Sequence, residues 1–245
     1  MAWCVGCGDA GLNPFDMFGR DRAHPPNPDP NQQPFIAMPP TVTLPAPRLE
    51  PLPPSPELAD VFAGYQNLIG FIPNSVLIMQ RRPRMARALQ QLGAAIWDPE
   101  SSVPIGFKRL LALFASRVTG CQYCMAHNAG SLQRVGVSQA KVDALWDYRE
   151  SPLFTEPERC ALDFTMAASS VPNAVTDEMF AGMRTHWSDE QIVEIVGVIA
   201  LFGFTNRWND TMATPLEAEP TEVAERVLSP HGWNNDKHMR ELQAP

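Results

Sequence analysis

Ser116-Arg117-Val118-Thr119-Gly120-Cys121-Gln122-Tyr123-Cys124-Met125-Ala126-His127-Asn128 spans the end of one helix, a glycine break and the start of a second. Upstream, Pro104 suits the first turn of a helix that runs to about Thr119. Its apolar residues, among them Ile105, Leu110, Leu111, Leu113, Phe114 and Val118, leave little polar face. Such a helix is central and buried. Gly120 interrupts it, and a second helix runs from about Cys121 to Val135, where Gly136 stops it. A helix that is apolar nearly all round needs other helices or a sheet to cover it.

The flanking sequence supplies helices. Glu57 to Ile69 carries Leu58, Val61, Phe62, Tyr65, Leu68 and Ile69 close to one helical stripe. Gly70-Phe71-Ile72-Pro73-Asn74 breaks it, with Asn74 or Ser75 placed to cap the next helix. The chain bends at Arg82-Pro83, and Arg84 to Trp97 forms a third helix ended by Asp98-Pro99. Ser138 caps a short helix to Trp146. Thr155-Glu156-Pro157-Glu158 is a capping-box start for a helix reaching about Ser169. Thr176 and Ser188 open two more, the second extending to about Asp210. No run of five or more residues alternates convincingly, so the fold class is all-α. The likeness of Leu111-Ala112-Leu113-Phe114 to Ile199-Ala200-Leu201-Phe202 hints at an internal helical duplication.

Residues 1–56 differ from the rest: 13 of the 25 prolines lie between Pro25 and Pro56. Such a stretch neither holds a helix nor pairs in a central strand, and reads as an extended or disordered Pro-rich arm. The expected organisation is that arm, a helical domain over 57–217 and a polar C-terminal tail over 218–245.

A formal charge of -8 argues against a sequence-independent nucleic-acid binder, which needs a basic face. No apolar run reaches the roughly 18–20 residues that cross a bilayer. The N-terminus shows neither a basic start nor an apolar signal core, so a cytoplasmic address is expected by default. Five cysteines, Cys4, Cys7, Cys121, Cys124 and Cys160, make an odd count that does not suit a disulfide scaffold. Two Cys-x-x-Cys pairs point to reversible redox chemistry or metal binding instead.

Cys121 and Cys124 stand three apart at a helix start, where a disulfide can close across one turn and the helix N-terminus favours a thiolate. His127 lies within one turn of Cys124 and could take a thiol proton or return one to a leaving oxygen. The cluster is a coherent set for attack on a peroxide or disulfide bond. A four-thiolate zinc site with Cys4 and Cys7 is set aside, because those two sit in the proline-rich arm. Cys160, within a helix, reads as a small core residue. Asn206-Arg207-Trp208-Asn209-Asp210 either lines a pocket near the cysteines, bridges subunits or anchors helix ends. His186 and Trp187 read as a surface-packed loop before the Ser188 cap, and His231 and His238 are too isolated to be read as ligands.

Gly120-Cys121-Gln122-Tyr123-Cys124 followed closely by His resembles the active-site signature of alkylhydroperoxidase D and its carboxymuconolactone-decarboxylase-like relatives. Gly70-Phe71-Ile72-Pro73-Asn74 and Phe202 to Asp210 resemble two flanking segments of that family. The resemblance covers roughly 57–217. It implies an AhpD-like multi-helix bundle and a homo-oligomer with sites close to subunit contacts; no cofactor or metal is expected. It implies that Cys124 attacks a small hydroperoxide, that Cys121 resolves the sulfenic acid as a disulfide, and that a lipoyl or thioredoxin-like dithiol restores the pair. Two positions depart from the pattern. The family's His position holds Asn128, leaving His127 displaced by about 100° around the helix. The family's Glu position holds Arg109, which could stabilise a thiolate, and Glu194 could supply a carboxylate from elsewhere. Two alternatives stay open: a cofactor-free decarboxylase or lactone-processing enzyme, and a non-catalytic oligomeric redox sensor.

Overall fold

The computed structural model describes residues 47–239. Among them lie ten α-helices and no strand: α1 (Ala59–Ile69), α2 (Asn74–Met79), α3 (Pro83–Ile96), α4 (Ile105–Thr119), α5 (Gln122–Arg134), α6 (Gln139–Asp143), α7 (Glu156–Ser169), α8 (Asp177–His186), α9 (Asp189–Met212) and α10 (Ala218–Val227). None is long and apolar enough to cross a membrane.

α4 is the axis of the bundle. Every residue from Phe107 to Ser116 is buried, Lys108 and Arg109 included, and α5, α7 and α9 pack around it. Its C-terminus closes as a Schellman motif. Gly120 takes the left-handed conformation at φ 77°, Gly120 N–H donates to the Arg117 carbonyl at 3.1 Å, and Cys121 N–H donates to the Ser116 carbonyl at 3.0 Å. Cys121 then turns extended as the N-cap of α5, its own carbonyl accepting from Met125 N–H at 3.0 Å. One residue thus ends the central helix and starts the next, which fixes the first cysteine by backbone bonds on both sides.

The capping residues read from sequence appear where the chemistry asks for them. Thr155 and Ser188 form capping boxes with Glu158 and Gln191, and Ser138 and Thr176 accept from the third backbone N–H of their helices. Asn74 differs. It is the first residue of α2 and caps nothing; its Nδ2 donates to the Pro215 carbonyl at 3.1 Å, stitching α2 to the segment after α9.

The chain beyond 217 is a second departure. Instead of a polar tail, it folds as α10, which buries Pro220, Val223, Ala224 and Val227 against α5. Trp233 and His238 are buried beyond it. Their apolar spacing, 220, 223, 224 and 227, is that of one helix face. Of the Pro-rich arm, residues 1–46 lie outside the described residues, Cys4 and Cys7 with them. Residues 47–55 run beside α2, with Leu52 N–H donating to the Leu77 carbonyl at 3.2 Å and Arg81 holding the Glu50 carbonyl at 2.8 Å.

Two apolar cores result. The larger surrounds α4, α5, α7 and α9; the smaller joins Leu58, Val61, Phe62, Val76, Met79 and Ala86 of the α1–α3 layer.

Candidate active site

A cavity of about 480 Å³ lies at the seam between these cores. α1, α2 and α3 contribute Leu68, Val76 and Leu89 on one side; α4, α5 and α9 contribute Arg109, Cys124, His127, Leu201 and Phe202 on the other. Of the two paired cysteines, only Cys124 lines it. Cys121 is fully buried behind its partner, and both are thiols.

The sulfur environment is asymmetric. Cys121 hydrogen-bonds Cys124, and that bond, then burial, pushes the Cys121 thiol well above the ordinary range. The helix start favours a thiolate in this pair, but at Cys121 the neighbouring sulfur and the burial keep the proton on. Asn209 Nδ2 also donates to Cys124 Sγ, at 3.4 Å, while Asn209 Oδ1 is held by the Thr214 hydroxyl at 2.8 Å. An amide donor is therefore aimed at the cysteine that faces the cavity, with the protonated Cys121 beside it.

His127, displaced by one position from the family pattern, also lines the cavity, where it meets a carboxylate. His127 Nε2 lies 2.7 Å from Glu217 Oε2. The other oxygen of Glu217 accepts from the Tyr123 hydroxyl at 2.9 Å and from the backbone N–H of Asn74. Burial opposes ionisation of Glu217, but the charge and hydrogen bond of His127, with the Asn74 N–H, outweigh it and hold the carboxyl below its usual range. Whenever His127 gives up a proton, the ionised Glu217 keeps the hydrogen on Nε2, so Nδ1 is the nitrogen left as the base. Tyr123 stacks on the imidazole at 4.4 Å and Phe71 tilts against it at 5.5 Å, so the ring is clamped as well as hydrogen-bonded.

The remaining expectations sort as follows. Asn128, at the family's His position, is buried and donates to the Cys124 carbonyl at 2.9 Å. Glu194 does not serve the cysteines; its carboxylate pairs with Lys108 Nζ at 2.9 Å and accepts from the backbone N–H groups of Ser102 and Val103 at 3.1 Å. Cys160 is a buried core thiol beside Met183. Sequence reasoning missed Glu217, because it comes from 90 positions beyond His127 at the edge of a segment read as tail. The signal that could have found it was the 220/223/224/227 stripe, which marks the helix that Glu217 precedes.

Behind the pair, Cys121 Sγ, a carboxylate oxygen of Asp210 and a ring nitrogen of His238 lie within 4.8 Å of one another. These are donor types a metal ion accepts, but each donor here already serves the fold. His238 Nδ1 meets the Thr214 carbonyl at 2.8 Å, its Nε2 lies 3.3 Å from Asp210 Oδ1, and Lys237 pairs with Asp210 at 3.2 Å. On the same side the indole N–H of Trp233 donates to the carbonyl of Gln122, between the two cysteines, at 3.0 Å.

Residues 83–167 match the model of the Carboxymuconolactone decarboxylase family. Crystal structures of the debrominase Bmp8 superpose with a TM-score of 0.68 at 34% identity, covering 73% of this chain. The apo form is covered over 97% of its length, and a cysteine-to-alanine variant bound to 2,3,4-tribromopyrrole over 96%. A peroxidase-related protein from Ralstonia eutropha JMP134, described as an alkylhydroperoxidase AhpD core, shares the fold with a TM-score of 0.59 at 22% identity, over 70% of this chain and 94% of that one. The uncharacterized protein YnjA of Escherichia coli (strain K12) is 30% identical over 97 residues, 40% of this chain; the match spans about half of that relative, 53%.

Proposed function

The chain belongs to the AhpD-like carboxymuconolactone decarboxylase family, and on that footing we propose that it is a cysteine-pair reductase of a small organic hydroperoxide. The observation that carries this reading is the asymmetry of the pair: Cys124 faces the cavity and receives the Asn209 hydrogen bond, while Cys121 stands protonated behind it. His127, paired with Glu217, lines the same cavity and is the base assigned to Cys124.

In the proposed reaction His127 accepts the Cys124 proton and the thiolate sulfur attacks the distal peroxide oxygen. The O–O bond breaks, and the alkoxide leaves with the proton from His127 as the alcohol. Cys124 is now a sulfenic acid. The sulfur of Cys121 attacks it, the S–S bond forms, the S–O bond breaks, and hydroxide leaves with the Cys121 proton as water. A dithiol, lipoyl or thioredoxin-like, then returns two electrons and two protons by thiol exchange.

A second reading uses the same pair on a halogenated aromatic. The 34% identity to the debrominase Bmp8 and the cavity's apolar walls favour it. Two thiols and an aryl bromide would give the arene, one disulfide and hydrogen bromide.

Single-turnover oxidation with cumene hydroperoxide and, separately, a polybrominated pyrrole separates these readings. The expected result is loss of two thiols per chain with a Cys121–Cys124 disulfide on mass mapping. Cys124→Ser should abolish consumption of the oxidant, and Cys121→Ser should stop at a sulfenic acid that dimedone captures. Oxidation by the brominated substrate alone would transfer the assignment to the second reading. Cys124→Ser reacting like wild type would refute both.

A further inference from the structure

α4 carries two consecutive buried cations that the fold treats differently. Lys108 is neutralised by Glu194 at 2.9 Å and also donates to the Ile96 carbonyl at 2.9 Å and to the Ser101 hydroxyl. Arg109 is only 7% exposed and has no ion pair among the described residues. Its guanidinium sits over the Trp97 ring, 3.7 Å from the centroid, and its Nε–H is buried without a hydrogen-bond acceptor. Burial, with the charge of Arg134, lowers the Arg109 pKa to about 10, so the group is still a cation at neutral pH.

An unpaired buried charge is costly, and contact with an aromatic face offsets only part of that cost. Arg109 lines the cavity, and neither Asp nor Glu is among the residues lining it. Most of the remaining wall is apolar, with Leu68, Ile69, Val76, Leu89, Leu201 and Phe202, and its polar groups, such as Asn67, Gln90 and Thr205, are uncharged or, at His127, already paired with Glu217. The indole of Trp97, edge-on to Phe202 at 6.2 Å, lines the same space beneath the guanidinium.

We infer that Arg109 is the anion-binding residue of this cavity, and that its ligand is an organic acid: a flat apolar body bearing a carboxylate or a comparably acidic group. The guanidinium offers paired donors matched to a carboxylate, in a site dry enough to strengthen the bond. The apolar body packs against Phe202 and the leucines, in the same cavity that Cys124 and His127 line. This assignment rests on reading the cavity as the substrate site and adds the chemical class of what enters it.

The test is calorimetric titration of the reduced full-length protein with 2-naphthoate and with its neutral analogue 2-naphthamide. Naphthoate should bind about tenfold more tightly than naphthamide. Arg109→Gln should remove that preference, weakening naphthoate about tenfold and leaving naphthamide within about twofold; Arg109→Lys should retain part of it, as a charge without the fork. Equal binding of the two probes to wild type, binding of neither, or an Arg109→Gln protein that still prefers the carboxylate would each overturn the assignment. The wild-type comparison decides the matter even where the variant does not fold. Neither probe carries an oxidant, so a protein that prefers naphthoate yet leaves hydroperoxides untouched would sink the peroxidase reading and keep this one.

Discussion

His127 and Glu217 form a His–carboxylate pair from positions the family pattern does not use. The helical displacement that carries His127 away from the usual direction points it instead at the segment entering α10, where Glu217 waits with Tyr123 and Asn74. Glu217→Gln keeps the shape and removes the charge, so turnover should fall about 100-fold if the pair acts as general base and acid. The same substitution should show in pH-dependent melting. Glu217 has a depressed folded-state pKa, so its contribution is fully present above the ordinary carboxylate range and fades as pH falls below it. Melting curves of wild type and variant should therefore differ near neutrality and converge in acid; a constant offset would mean that the carboxylate charge is irrelevant. At this scale the sequence disclosed Cys121, Cys124 and His127, because their relation is local and helical spacing fixes it. It concealed Glu217 and the role of Arg109, because both depend on what the bundle places opposite them.

Helix ends and helix faces carry the rest of the site. Thr155, Thr176 and Ser188 were legible as caps because a cap is a local bond between a side chain and the next turn. Asn74 has the right chemistry for a cap yet spends it on Pro215, a partner that no local rule foresees. Among interhelix contacts, the clamp between Lys108 of α4 and Glu194 of α9 fixes the central pair. Glu194→Gln would leave a fully buried ammonium without its counter-charge and should destabilise the protein by about 3 kcal/mol, read by urea unfolding. Burial opposes ionisation of Glu194, but Lys108 and the Ser102 and Val103 N–H groups bring its pKa from 4.5 down to about 2. Its stabilisation is thus complete above about 4.5 and is lost as pH falls through about 2. An unchanged urea midpoint in Glu194→Gln would show the clamp to be dispensable.

The cavity belongs to the molecule as a whole, since its walls come from two cores that meet at Leu89 of α3. α1 and α2 rest on the smaller core and should open more readily than the bundle around α4, to which α3 is tied through Ile96 and Trp97. Amide hydrogen exchange should be faster in α1 and α2 than in α4 by at least about tenfold, and a saturating aryl carboxylate should slow α1 and α3 selectively. Exchange of all these helices in one cooperative step would show the two cores to be a single unit. That seam was hidden in the sequence because residues from Gly64 to Asn209 meet along it, and only the packing of complete helices brings them together.

Gln122 stands between the two cysteines, and its carbonyl holds the indole of Trp233. Drawing the two sulfurs to about 2.05 Å closes a ring through the Gln122 peptide. The indole is tethered to that backbone, so its emission should shift each time the pair is oxidised and return on reduction. The chain would then carry its own optical gauge of electron occupancy. Trp233→Phe should erase the signal while the other tryptophans stay dark to the change, and an emission trace that ignores thiol titre would show the tether to be slack.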